Sequence, residues 1–340
     1  MGKKKTRRYK TRFNGQAIFA IVSLFLIIAI VILGIQKGNT RLNSQNISKQ
    51  NDILTEEKTI KEDKTATIVA MGDTLCHSQV FKDAYDSETG IYDFSPLFKN
   101  VAKYFQNKTV AVGNLEATLA GPSHPYTGYP TFNTPEHLAT DLKELGLDIM
   151  TTANNHSLDI GYSGLESTLN YLDEAQLEHT GSARSAEEQD KILFKDLNGI
   201  KTAFLAFTYG TNGIPRPNGK EYCVNLIDKD FIKNKLDQAK EQGAEAICVS
   251  MHWGVEYQTK QNSEQEDLAE FLIKNDVNVI LRMSSTCIAT IANERSWIRR
   301  WNKKRGSCNI LDGKLLFCTN ISKHKRYYNI KCENQKKWRK

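Results

Sequence analysis

Asp73, Glu116, Asn154, Asn155, His156 and His252 carry the donor types that divalent cations take: carboxylate, amide and imidazole. Each stands at or near the end of a short apolar run: Thr67–Asp73, Thr109–Glu116, Leu147–His156 and Ala246–His252. Alone, an Asp or Asn after a strand reads as a turn or cap residue. Four run ends that all carry such side chains read as a candidate divalent-metal set. His156 has a second reading, as a general acid working near neutral pH. Asp159, three positions on, either orients that imidazole or caps the following turn, and both readings stay open.

The runs that deliver these residues read as buried strands, short and bounded by turn signals. Between them lie amphipathic helical stretches: Pro135–Leu145, Gly164–Ala175, Phe231–Gln242 and Glu264–Lys274. Strand alternating with helix implies an α/β domain with a mainly central sheet, whose site lies at the C-terminal ends of the strands. Gly161 and Gly164 fit a tight backbone passage into the second helix. After His252, Trp253 and Tyr257 read either as an apolar wall or as core, and Glu256 as a holder for a cation or amine. His77, His124, His137 and His179 have no partners in sequence, and His137 and His179 read as surface residues.

Hydrophobic residues make up 40% of the 340 and charged residues 25%, which excludes wholesale disorder and collagen-like repeats. The net charge of +7 is uneven. Residues 1–12 hold seven Lys/Arg and no acid, residues 282–340 hold sixteen against three acids, and residues 13–281 carry a net −13. An acidic body with basic ends argues against a nucleic-acid partner. The seven cysteines include no C-x-x-C pair, which excludes a zinc ribbon and argues against a disulfide framework.

Residues 17–35 form nineteen residues without a charge, about 28 Å as a helix and close to the thickness of a bilayer core. A cleaved signal peptide would have a shorter apolar core, so the run reads as an uncleaved transmembrane anchor. The basic residues 1–16 form a cytoplasmic segment, which places the rest of the single-pass protein outside the cell membrane. Residues 36–64, polar and charged, read as a stalk, and the folded body starts at residue 65.

Four segments resemble the CapA type of poly-gamma-glutamate capsule-biosynthesis proteins, a branch similar to the calcineurin-like metallophosphoesterases. They are MGDTLCH (71–77), VGNLEATLAG (112–121), YPTFNTPEHLATDLKELGLDIMTTANNHSLDIGYSGLESTL (129–169) and MHWGVEY (251–257). The resemblance covers residues 65–281 and implies a four-layer α/β/β/α sandwich. It also implies two divalent metals (Mn, Zn or Fe), held by Asp73, Glu116, Asn155 and His252. His156, with Asp159, would act on the substrate. Two departures stand out: Asp73 lacks the nearby D-x-H histidine, and Glu116 replaces the usual Asp. The implied function is capsule synthesis or export, as a metal-dependent, phosphoesterase-like hydrolase or as a non-catalytic scaffold of a synthase complex. The partners would be poly-gamma-glutamate or another anionic envelope polymer, the membrane and membrane synthase subunits.

The family text continues with a G-x-H-P-H-V-L-Q-P-like segment that supplies further ligands. Here Leu281 is followed by Arg282-Met-Ser-Ser-Thr-Cys-Ile-Ala-Thr290. One coding string for these residues, with a single base deleted after the Leu281 codon, reads L-G-C-H-P-H-V-L-Q-P. Residues 282–340 therefore read as an out-of-frame basic tail that leaves the C-terminal part of the sandwich incomplete and metal binding weak or absent.

Overall fold

The structure, a computed structural model, describes residue 19, residues 22–40, 64–254 and 261–283, and the strands at 309–312, 317–324 and 327–333. The chain divides into two compact units, Met1–Glu62 and Asp63–Lys340. In the first, α1 (Val22–Thr40) is long and apolar enough to cross a membrane. It continues past the predicted end at Ile35, and the Thr40 hydroxyl donates to the Gln36 carbonyl at 2.7 Å. The basic segment 1–16 and stalk residues 41–63 lie outside the described residues.

The second unit begins β1 (Thr65–Thr74), α2 (Ser78–Asp83), α3 (Ser95–Phe98), β2 (Val110–Leu115), α4 (His137–Leu145), β3 (Ile149–Thr151), α5 (Gly161–Glu174) and β4 (Glu178–Thr180). It continues α6 (Ala186–Asp190), β5 (Leu193–Leu197), β6 (Ile200–Thr208), α7 (Lys229–Glu241), β7 (Ala246–His252), α8 (Ser263–Lys274) and β8 (Val279–Met283). The strands β9 (Asn309–Asp312), β10 (Phe317–His324) and β11 (Tyr327–Glu333) follow.

These strands form two sheets, in the orders β11-β10-β1-β2-β3-β4 and β5-β6-β7-β8-β9. Within each, the central pairs β1–β2, β2–β3, β3–β4, β6–β7, β7–β8 and β8–β9 are parallel. The residue pattern alone predicts one mainly central sheet, and the structure corrects this. β5 and β6, which that pattern does not place, open a second sheet, so β7 pairs with β6 rather than with β1–β3. β9 and β10 add to both sheets from the segment set apart in sequence as out of frame.

Side-chain alternation along each strand turns one face to the other sheet and one to the helices. Between the sheets, Ala66, Ile68, Ala70, Val110, Val112 and Ile149 pack on Phe204, Ala246, Cys248, Val279, Leu281 and Met283. On the outer face of the first sheet, Val69, Ala111 and Met150 cluster with Leu138 and Leu142 of α4 and Leu165, Leu169 and Leu172 of α5. On the second, Leu205, Phe207, Val249 and Met251 cluster with Ile232 and Leu236 of α7 and Leu268 and Leu272 of α8. The result is the α/β/β/α sandwich, held by side chains that each contribute about 1.5–3 kcal/mol on full burial. Asp228 caps α7 by accepting from the Phe231 amide at 2.7 Å, and Asn262 and Gln265 form a reciprocal capping box on α8.

Candidate active site at the rim of the inter-sheet gap

The inter-sheet faces change character toward the C-terminal ends of the strands. Two-residue alternation carries Val110 and Val112 on to Asn114 and Glu116, Ile149 on to Thr151, and Ala246 and Cys248 on to Ser250 and His252. The β1–β2 register shifts between Ala70 and Asp73, an irregularity of the kind that re-aims a side chain at a strand end. The apolar interior thus ends in a polar rim that is equally buried: Asn114 is 0% exposed, Glu116 2% and His252 1%.

His252 sits between two carboxylates. Its Nδ1 lies 3.8 Å from Asp73 Oδ1 and its Nε2 3.7 Å from Glu116 Oε1. Asn114 braces the group: its Nδ2 donates to Asp73 Oδ1 at 2.8 Å and lies 3.5 Å from His252 Nδ1, while its Oδ1 accepts from Thr151 Oγ1 at 3.0 Å. Burial, and secondarily the nearby His156, push the His252 imidazole down to about 3, so the ring is neutral at physiological pH. Tyr209 stacks on it, centroids 6.0 Å apart and 15° between planes.

The second half of the rim is the loop after β3. Asn154 is a structural clamp there: its Nδ2 donates to the Leu115 carbonyl at 2.6 Å and its Oδ1 accepts from the His156 amide at 3.0 Å. His156 Nδ1 lies 2.7 Å from Asp159 Oδ2, and the same oxygen accepts from the Phe132 amide at 2.6 Å. The Phe132 ring stands edge-on to the imidazole at 4.8 Å. Asp159 does not cap the next helix, since the N-cap of α5 is Ile160. Gly161, at φ 65, makes the left-handed entry to that helix, and a Cβ on Gly164 would meet the Ile160 side chain at 2.6 Å. Asn155 Nδ2 donates to Asn212 Oδ1 at 3.1 Å.

The rim therefore gathers Asp73, Glu116 and His252 around Asn114, and Asn155, His156 and Asp159 around Asn212 and Phe132. Sequence reasoning missed Asn114, although it lies two residues before Glu116 on the same strand face, a signal that was available. It also missed Asn212, Tyr209 and Phe132, which reach the rim from loops distant in sequence. Trp253 lies in the core under α7 and α8, which excludes it from an apolar wall at the rim. His137 is a helix-surface residue, whereas the His179 side chain is only 9% exposed, against Asp173, which corrects its assignment to the surface. Glu256 and Tyr257 lie outside the described residues.

Two buried rim atoms, His252 Nε2 and Asn155 Oδ1, have no hydrogen-bond partner. A neutral imidazole nitrogen and an amide oxygen left in this way have the chemistry of cation ligands. The 3.7 Å spacing between His252 Nε2 and Glu116 Oε1 suits two donors sharing one cation at about 2.1 Å each. Among the described residues, no group of three His, Cys, Asp or Glu is drawn tightly enough to hold a metal ion by itself. The donor set fits a divalent metal in chemistry, with amides completing what the carboxylates and imidazole begin.

A two-sheet α/β sandwich with acid, amide and imidazole side chains gathered at its strand ends is the class these observations define. The chain belongs to the bacterial capsule synthesis protein family PGA_cap, whose profile matches residues 67–298. It is 26% identical over 238 residues to the capsule biosynthesis protein CapA of Bacillus anthracis, covering 65% of this chain and 54% of that one. It is 26% identical over 192 residues to the PGA biosynthesis protein CapA of Bacillus subtilis, covering 54% and 49%. The chain thus spans about half the length of the curated relatives it matches. Among solved structures it is similar to the NAD nucleotidase of Haemophilus influenzae, at 12% identity and a TM-score of 0.47, covering 80% of this chain and 49% of that one.

Proposed function

We propose that this chain is a membrane-anchored, extracytoplasmic protein of poly-gamma-glutamate capsule synthesis or export. Its rim is a metal-dependent, phosphoesterase-like hydrolytic site. The observation that carries the reading is the buried, neutral His252, flanked by Asp73 and Glu116, with its Nε2 left without a hydrogen bond. Asp73, Glu116, Asn155 and His252 are the residues that would hold the metal, Mn, Zn or Fe. Such a metal, when bound, supplies Lewis acidity and acidifies a coordinated water. His156 moves a proton at Nε2 to the leaving group, because Asp159 holds its Nδ1. Phe132 fixes that pair twice, through its ring on His156 and its amide on Asp159.

The anchor is α1, the basic N-terminal segment stays cytoplasmic, and the substrate or cargo is poly-gamma-glutamate or another anionic envelope polymer, received from membrane synthase subunits. We also propose that residues 282–340 arose by a one-base shift. Nucleotide sequence across codons 278–292 tests this, and an unshifted read with no motif in the next frame would end it.

The test of the activity is the Mn²⁺-loaded protein, with the reading frame restored after Leu281, assayed on bis(p-nitrophenyl) phosphate. Turnover lost on His156→Ala supports the hydrolase. The lack of a tight three-residue His/Cys/Asp/Glu cluster among the described residues favours a second reading, a non-catalytic scaffold of the synthase complex. Metal-free protein that still sustains capsule assembly supports that one.

A further inference from the structure

The loop after β6 reads Thr208-Tyr-Gly-Thr-Asn-Gly213. It is fastened at both ends: the Tyr209 amide donates to the His252 carbonyl at 3.0 Å, and the Thr211 hydroxyl donates to the Ile214 carbonyl at 2.6 Å. Between these ties Asn212 adopts φ 50, a left-handed conformation that Asn and Gly tolerate and most residues do not. The fastened backbone delivers one side chain to the rim. Its Oδ1 accepts from Asn155 Nδ2 at 3.1 Å, and its Nδ2 lies 3.4 Å from each ring nitrogen of His156.

In this arrangement the Asn212 nitrogen faces His156 and its oxygen faces Asn155. An oxygen there can only accept, so the Asn155 amide turns its NH₂ toward Asn212. The other end of that amide, Oδ1, is then the buried atom without a hydrogen-bond partner, on a residue 1% exposed. A buried oxygen left so is costly unless something else satisfies it.

We propose that Asn212 is a positioning residue of the rim: it holds the Asn155 amide with its oxygen presented as a ligand for a divalent cation, and keeps the His156 ring beside that ligand. This rests on the metal-dependent reading of the site. Nothing in the motifs around residue 156 points to Asn212, which lies 56 residues further along the chain. Outer partners of this kind change metal affinity by about ten- to a hundredfold when removed.

The test is Mn²⁺ binding to the full-length chain, by calorimetry and manganese EPR, in three proteins. Asn212→Gly keeps the left-handed backbone and deletes the amide. Asn212→Asp restores the acceptor toward Asn155. The expected result is Mn²⁺ affinity about ten- to a hundredfold lower in the glycine variant, at an unchanged or higher Tm, and largely recovered in the aspartate variant. Wild-type affinity in Asn212→Gly overturns the inference and leaves the metal reading standing. Aspartate as weak as glycine also overturns it, since the acceptor would then not be what matters. If the wild-type protein takes up no Mn²⁺, the metal reading itself fails and carries the inference with it.

Discussion

His156 and His252 are buried to a similar degree, 7% and 1% exposed, and belong to the same rim, yet their surroundings are opposite. His156 is built around: Asp159 at 2.7 Å on Nδ1, Phe132 against its edge, Asn212 beside both nitrogens. His252 has carboxylates only at 3.7 and 3.8 Å, an imidazole pushed down to about 3 and an Nε2 with no hydrogen bond. A ring oriented by a carboxylate is arranged to move protons. A buried ring kept neutral, with one nitrogen lacking a hydrogen bond, is arranged to take a ligand there rather than to shuttle protons. Burial alone separates neither role; the partners do.

Three substitutions break or sharpen that contrast. His156→Ala lowers hydrolysis of bis(p-nitrophenyl) phosphate by the Mn²⁺-loaded protein about 10²- to 10⁴-fold while the Tm holds; an unchanged rate removes His156 from the chemistry. Asp159→Asn has a smaller effect, about tenfold or more in kcat with KM nearly unchanged, because the amide still accepts from Phe132 but orients the ring less firmly. His252→Leu moves two readouts in opposite directions. It abolishes Mn²⁺ binding, and it raises the stability of the metal-free protein by about 1–3 kcal/mol, since it removes a buried unsatisfied nitrogen at similar volume. Denaturant melts in EDTA check the sign, and a loss of stability contradicts the reading of His252 as an unmet donor.

The smallest effect belongs to a third histidine, outside the rim. Burial holds His179 below its ordinary value of 6.5, opposed by Asp173 at 3.1 Å and by Glu188, with Arg184 acting alongside burial. As pH falls below about 6.5 the unfolded chain takes up the proton first, so the folded protein loses stability until the folded imidazole also protonates. His179→Leu flattens that part of the stability–pH curve. An unchanged slope assigns the acid sensitivity to other groups.

Much of this was legible in sequence because strand alternation and helix periodicity are local. Ala246–His252 is the strand the pattern marks, and Leu138, Leu142, Leu165, Leu169 and Leu172 are the buried faces of their helices. Leu147–His156 shows the limit. Only Ile149–Thr151 is strand, because Asn154 turns its side chain back to the Leu115 carbonyl and ends the pairing. The second sheet was legible only through the family resemblance, which implies two packed sheets; the residue pattern alone missed it, since β5 and β6 carry no site residue that singles them out. Asn212 and Phe132 were illegible for a related reason: each meets His156 through tertiary packing across loops, which no spacing along the chain encodes.

The central claim, that the rim donors hold a divalent cation, is tested most directly by anomalous diffraction at the manganese edge from crystals of the Mn²⁺-loaded protein. The account predicts a peak within about 2.5 Å of His252 Nε2, with carboxylate oxygen from Asp73 or Glu116 in the same shell. A protein that binds Mn²⁺ elsewhere, or none at the rim, contradicts it.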